Sequence, residues 1–254
     1  TMTKSQIAAQ GYTIRDLCRD PASTDAAFAR VKKVGYDAIQ ISGFWQNGVE
    51  NLARIADKNE LQVCATHIGF QEMVDDLPKV IANHKLLGCT YVGIGGMPLE
   101  ARESPEACRA FVRKFNEIGC RLRDAGLIGI YHNHNFEFAS FGCESLMDIL
   151  YNEGDPASWQ FEIDTHWVVR GFNDPVKWIR KVAGRMDCVH FKDLHNYKEG
   201  PTYAEIGEGV LNWPDIITAC RLIGVKWYIV EQDTCPGDPV DSLAISYRNM
   251  LRMI

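Results

Sequence analysis

The segment Tyr131-His132-Asn133-His134 sets two imidazoles two positions apart, directly after the apolar run Leu127-Ile128-Gly129-Ile130. An apolar run this short reads as a buried strand. Alternate residues of a strand share a face, so His132 and His134 point the same way, in phase with Ile128 and Ile130. Paired inward imidazoles suit metal ligation or proton transfer near neutral pH. They equally suit two hydrogen-bonded core histidines. What separates these options is what the neighbouring strands carry.

Three later apolar runs end in the same kinds of residue. One closes at Asp164 with His166 two positions on, the next at His190 with Lys192, and the last at Glu231 with Asp233. An earlier run closes at His67. If these ends converge, His132, His190, Asp164 and Glu231 make a mixed nitrogen and oxygen donor set. Such a set suits one divalent ion of the Mn, Co, Zn or Fe kind, with Mg also open. Two carboxylates offset the charge of the ion. The ion in turn polarises a carbonyl and steadies the oxyanion formed when an adjacent C–H is lost.

The elements that must position these groups follow from the pattern. Strands are expected at 7–14, 36–42, 61–67, 90–94, 127–132, 159–164, 186–191 and 225–231. Helices are expected at 23–34, 49–59, 76–87, 104–125, 144–152, from 174, 213–223 and from 238. Ser104-Pro105, Asp174-Pro175 and Asp238-Pro239 each put a capping side chain before a proline, which starts a helix. Gly35, Gly88 and Gly126 sit where helices end. A polar loop is expected from the seventh strand to about Leu211, and Gly43 to Gly48 reads as another loop. Strict strand–helix alternation argues for a parallel sheet. Eight such units in 254 residues argue for one closed (β/α)8 TIM barrel over 1–254. An open doubly wound sheet would want a glycine-rich first turn, and Gln10-Gly11-Tyr12-Thr13 is not one. In a barrel, the strand ends named above meet at the catalytic face.

Composition bounds the partners. The chain is 46% hydrophobic and 24% charged, with a formal net charge of -6, so nothing invites nucleic acid or an anionic membrane. No segment approaches a membrane span, and residues 1–6 carry no apolar signal core. Thr1 ahead of Met2 reads as an added residue. Nine scattered cysteines without a C-x-x-C pair point to reduced thiols and a cytoplasmic location.

These stretches together resemble the xylose isomerase-like barrels, a group broadly labelled sugar phosphate isomerases/epimerases. The resemblance covers essentially the whole chain. It is carried by Tyr131-His132-Asn133-His134 with Phe136-Glu137-Phe138, by Asp164-Thr165-His166-Trp167, and by Val189-His190-Phe191-Lys192-Asp193. Glu205-Ile206-Gly207-Glu208-Gly209 and Val230-Glu231 add to it. It implies a metal held by the ends of strands five to eight, with Asp164, His190 and Glu231 in the usual places. The usual strand-five ligand is a glutamate. Here His132 stands there, and Glu137 is the alternative fourth ligand if its loop folds back. Many relatives carry a histidine where this chain has Trp167, and His166 comes one position earlier. The epimerase scheme of two metal-bound glutamates therefore does not carry over whole.

The resemblance implies a sugar-like small molecule as partner, and a homo-oligomer is open. His67, His166, Trp167 and Glu205 are the expected substrate contacts. Glu231 or His134 is the expected base, with Glu137 and Lys192 as reserves. Lys192 would touch a substrate hydroxyl or enolate, or else be a rim lysine held by Asp193. His84 reads as a surface residue, His195 as a loop residue, and Trp45 as packing or a sugar wall. The leading expectation is proton abstraction next to a carbonyl, giving isomerisation or epimerisation. The replaced glutamate makes dehydratase or lyase chemistry on an inosose or keto-glycoside the alternative. An endonuclease IV-like nuclease would want a basic face, and a non-catalytic sugar-binding barrel would tolerate loss of the ligands. A phosphorylated substrate is not expected, because the loops after strands seven and eight carry Glu199, Glu205, Glu208, Asp233 and Asp238.

Overall fold

The computed structural model describes residues 2–254; Thr1 lies outside them. Eight parallel strands form one sheet: β1 (Ile7–Gln10), β2 (Ala38–Ile41), β3 (Gln62–Ile68), β4 (Tyr91–Ile94), β5 (Ile128–His132), β6 (Trp159–Glu162), β7 (Cys188–Phe191) and β8 (Trp227–Val230). Except for β6 with β7, each pairs with its sequence neighbours, and β1 pairs with β8. The ring closes between β6 and β7 through a single bridge, Asp164 with His190. There the His190 amide donates to Ile163 O, 2.9 Å, and the Phe161 amide donates to Arg185 O, 2.8 Å. Helices follow the strands, so the fold is the (β/α)8 barrel that the alternation implies.

Two apolar layers hold it. Outside, side chains such as Phe28, Phe115, Trp159, Ile179 and Ile217 pack helices on strands. Inside, a small cluster of Ala8, Ala38, Cys64, Ala65, Tyr91, Ile130, Cys188 and Ile229 fills the barrel floor. One inward position further along, the residue types change. Ala8 gives way to Gln10, Ala38 to Gln40, Ile130 to His132, Cys188 to His190 and Ile229 to Glu231, all buried. The strand period of two thus stacks a polar layer on an apolar floor. Strand β4 sends no side chain there: a Cβ on Gly93 would meet the His67 ring at 2.9 Å.

Several expectations need correction. The first strand ends at Gln10 rather than residue 14. The Gln10 side chain accepts from the Tyr12 amide and starts a 3-10 helix, Gly11–Leu17. The first long helix, Pro21–Val34, starts two residues ahead of the expected 23, with Asp20 as its cap. The polar loop after β7 contains an antiparallel hairpin, Asp193–Tyr197 with Gly200–Ala204, which includes His195. Asp193 pins this excursion: its carboxylate accepts from the amides of Leu194, Gly207, Gly209 and Leu211 and from Trp213 Nε1. His84 is buried, not at the surface. Its ring bonds Thr66 Oγ1 and Val80 O, both at 2.7 Å, and burial lowers its pKa. Short helices at Phe70–Asp75 and Thr165–Arg170 carried no apolar repeat long enough to announce them.

Candidate active site

The ends of β5, β7 and β8, together with Asp164 just beyond β6, bring His132, Asp164, His190 and Glu231 together. One ligand atom from each lies within 4.8 Å of all the others, and all four residues are buried. Asp164 has two tasks. Its Oδ1 caps helix Thr165–Arg170 by accepting from the Trp167 amide, 3.1 Å, while Oδ2 lies 2.9 Å from His132 Nε2. Asn133 Oδ1 fixes the Asp164 backbone by accepting from its amide, 2.9 Å.

Both imidazoles are held from behind. His132 Nδ1 sits 3.3 Å from Gly95 O, and only a protonated Nδ1 can bond a carbonyl, so Nε2 faces Asp164. His190 Nε2 lies 2.6 Å from Gln40 Oε1, which assigns the proton to Nε2. His190 Nδ1 then has no hydrogen-bond partner, at 3.8 Å from Asp164 Oδ2 and 3.7 Å from Glu231 Oε1. A buried lone pair facing two carboxylates asks for a cation. Bonds of about 2.0–2.2 Å around a metal put ligand edges at roughly 3–3.6 Å, near these separations. The donor set therefore fits a divalent ion. Burial opposes charge on His190, yet Glu162, Asp164 and Glu231 raise its pKa to about 10. The same field that would hold a proton at Nδ1 would hold a dication.

Two neighbours complete the charge pattern. Lys192 is fully buried, and Asp193 does not hold it. Its Nζ lies 3.0 Å from Asp164 Oδ2, 2.5 Å from Glu231 Oε1 and 2.9 Å from Asp233 Oδ1. Burial would neutralise Lys192, but these three carboxylates hold it charged. That removes it as a reserve base. Burial would likewise neutralise Asp164 and Glu231, and Lys192 is the main group keeping both ionised. Beneath them lies Glu162, which the motifs did not single out. Its Oε1 is 2.5 Å from His67 Nε2 and 3.3 Å from His190 Nε2, and its Oε2 accepts from Gln40 Nε2, 3.1 Å. His67, Glu162 and His190 also group as potential ligands. His67 bonds Glu162 directly and His190 Nε2 lies against the same oxygen, so this layer orients the ligands above it.

A cavity of about 250 Å³ opens over the cluster, lined by Tyr12, Ser42, His67, His132, His134, Lys192, Glu231 and Asp233 among others. His134 Nδ1 has no partner there, and the Trp167 ring stands 5.4 Å away. Glu137 does not reach the cluster. It is buried beneath the loop, accepting from Tyr131 Oη and from the His134 amide, both at 2.9 Å, and burial raises its pKa to about 7. Of the two options for a fourth ligand, the geometry brings in His132. Glu137 serves by fixing where His134 points. His166 is buried just behind the cavity, its ring stacked on Tyr203 at 4.7 Å and Nδ1 2.7 Å from Asp193 O. Glu205 lies elsewhere, accepting from Ser242 Oγ at 2.8 Å. Trp45 donates to His67 O, 3.0 Å, and lines a different groove.

A model of the xylose isomerase-like TIM barrel family matches residues 28–244. The chain belongs to this family. No curated protein matches it. Among solved structures, a sugar phosphate isomerase/epimerase from Parabacteroides distasonis aligns at TM-score 0.80 and 20% identity, covering 98% of this chain and 94% of that one. A D-allulose 3-epimerase from Methylomonas sp. aligns at 0.75 and 14%, covering 100% and 99%. A probable 3-DHS dehydratase involved in petrobactin synthesis from Bacillus anthracis aligns at 0.73 and 13%, covering 97% and 98%. At these identities the likeness is one of fold. Among the described residues no helix is long and apolar enough to cross a membrane.

Proposed function

We propose that this barrel is a metal-assisted isomerase or epimerase of a sugar or keto-sugar, acting by proton abstraction next to a carbonyl. The observation that carries this reading is the buried quartet His132, Asp164, His190 and Glu231, with an unpartnered Nδ1 at its centre. These four residues would hold one divalent ion, of the Mn, Co, Zn or Mg kind. Bound there, the ion would supply Lewis-acid polarisation of the substrate carbonyl. The protein's own groups do the rest. Glu231, kept ionised and lining the cavity, takes the proton. His134, with a bare Nδ1 in the same cavity, is the second proton-transfer group. His67 lines the space in which the sugar sits, and Trp167 stands beside His134. The names of the structural neighbours, an isomerase/epimerase, an epimerase and a probable dehydratase, are consistent with enolate chemistry.

One feature favours elimination as a second reading. The quartet carries His132 where the epimerase scheme needs a second glutamate, so Glu231 is its one glutamate. The two outcomes separate when keto-sugars and inososes are followed by NMR in D2O with added Mn. Isomerisation leaves deuterium at carbon, and elimination leaves an unsaturated product. Glu231→Gln and His134→Ala are expected to cut solvent-deuterium incorporation by about a hundredfold or more. Near-normal exchange in both variants would refute the assignment.

A further inference from the structure

A second cavity, of about 240 Å³, lies along the same loop as the first and has no part in the chemistry above. It lies between the hairpin after β7 and the loop after β8, lined by His195, Tyr197, Tyr203, Glu205, Cys235 and Pro236 among others. The loop after β8 lines both. Asp233 lines the first, and Thr234 and Cys235 continue that loop into the second. Tyr203 lines the second, while its ring centre is 5.8 Å from Lys192 Nζ, which lines the first.

We propose that this second cavity is a subsite for a neutral sugar-like ring joined to the ring that reacts over the His132, Asp164, His190 and Glu231 cluster. Size is the first argument. Small-molecule pockets commonly run at about 300–1,000 Å³. Neither cavity reaches that range alone, and the pair together fall within it. Lining is the second. The His195 and Tyr197 rings stack 4.8 Å apart at 27°, and Tyr197 is 54% exposed. That makes an aromatic platform at a rim, with one apolar face to offer. Glu205 supplies a carboxylate to accept from hydroxyls, with one oxygen already fixed by Ser242. No lysine or arginine is among the lining residues, so the site suits a neutral ring rather than a phosphate or carboxylate. Anchoring is the third. The Asp193 carboxylate ties the base of the hairpin to the turn before helix Trp213–Ile223, so the platform stands on a fixed base.

The inference rests on the proposed function only for which ring reacts. The test therefore uses binding rather than turnover. Affinities of the wild-type protein for D-glucose, maltose, cellobiose, trehalose and sucrose are measured by titration calorimetry, and repeated with Tyr197→Ala. At least one disaccharide is expected to bind at least tenfold more tightly than D-glucose. Tyr197→Ala should erase that advantage and leave D-glucose unchanged. The exposed position of Tyr197 makes the variant tolerable to the fold. If no disaccharide gains tenfold, or if the advantage survives Tyr197→Ala, the subsite is refuted. Disaccharide preference without any C–H exchange would sink the proposed function alone; exchange on monosaccharides without the preference would sink the subsite alone.

Discussion

Replacing Glu162 by glutamine takes one charge from beneath the ligand layer and keeps the side-chain shape. In the native arrangement Glu162 accepts from Gln40, bonds His67 and places a carboxylate oxygen 3.3 Å from His190 Nε2. The amide can still accept from Gln40 through its oxygen and turn its NH2 toward His67. What it cannot do is push electron density toward His190. Carboxylate partners behind a ligating histidine are typically worth about ten- to a hundredfold in metal affinity. That corresponds to roughly 1.4–2.7 kcal/mol. The variant should therefore bind Mn or Zn about ten- to a hundredfold more weakly, measured by competition with a chromogenic chelator. Melting of the metal-free protein separates this from simple damage, since losing a buried charged partner costs about 1–3 kcal/mol. A chelator titration within threefold of wild type, in a variant that folds normally, would refute the argument that Glu162 acts through His190.

Three further outcomes follow from the same charges. Lys192→Met removes the ammonium that Asp164, Glu231 and Asp233 share. Dication affinity should rise at least about tenfold while the metal-free protein melts lower, because a competing like charge is gone; an unchanged affinity by calorimetry would contradict this. Glu137 has its pKa raised from 4.5 to about 7 by burial, so the folded state holds its proton more tightly than the unfolded state does. Its contribution to stability is present below about pH 4.5 and is lost as pH rises through about 7, by about 3 kcal/mol at most. Glu137→Gln should remove that part of the wild-type slope in denaturant titrations between those pH values, and identical slopes would count against it. A phosphosugar should not be turned over as much as about tenfold more efficiently than its free sugar, because Glu231 and Asp233 line the cavity and its one lysine is already shared by three carboxylates.

The barrel was legible because each strand is a short apolar run followed by a capped helix, and those signals are local. Strand ends at His132, His190 and Glu231 were legible for the same reason, since alternation fixes which way they face. Glu162 was hidden in plain pattern. Gln160, Glu162 and Asp164 alternate on one face of Trp159-Gln160-Phe161-Glu162-Ile163-Asp164, yet the run as a whole reads as apolar. Gln10 and Gln40 were missed likewise. The burial of Lys192 could not be read locally, because its three partners come from the ends of two other strands. His84 looked solvated between Asn83 and Lys85, but its partner Thr66 is far away in the chain. The hairpin after β7 lacks the two-residue glycine turn flanked by apolar alternation that marks hairpins in sequence.

The closing bridge between β6 and β7 bears on how this barrel comes apart. The other strand neighbours share registers of three or four residue pairs, and here the bridge is Asp164 with His190. The first and last strands are not the weak point, because β1 and β8 share three residue pairs. The thinnest joint therefore runs through two of the four candidate ligands, and an occupant would clasp it shut. Binding to the folded state alone adds about 2.7 kcal/mol at a hundred times the dissociation constant. Placed at the seam, that energy would be withdrawn by the first local opening, before the rest of the ring unravels. Loss of the occupant and breathing of the barrel would then be one event, seen as faster amide exchange at His190 and Phe161 than at paired residues on the opposite wall.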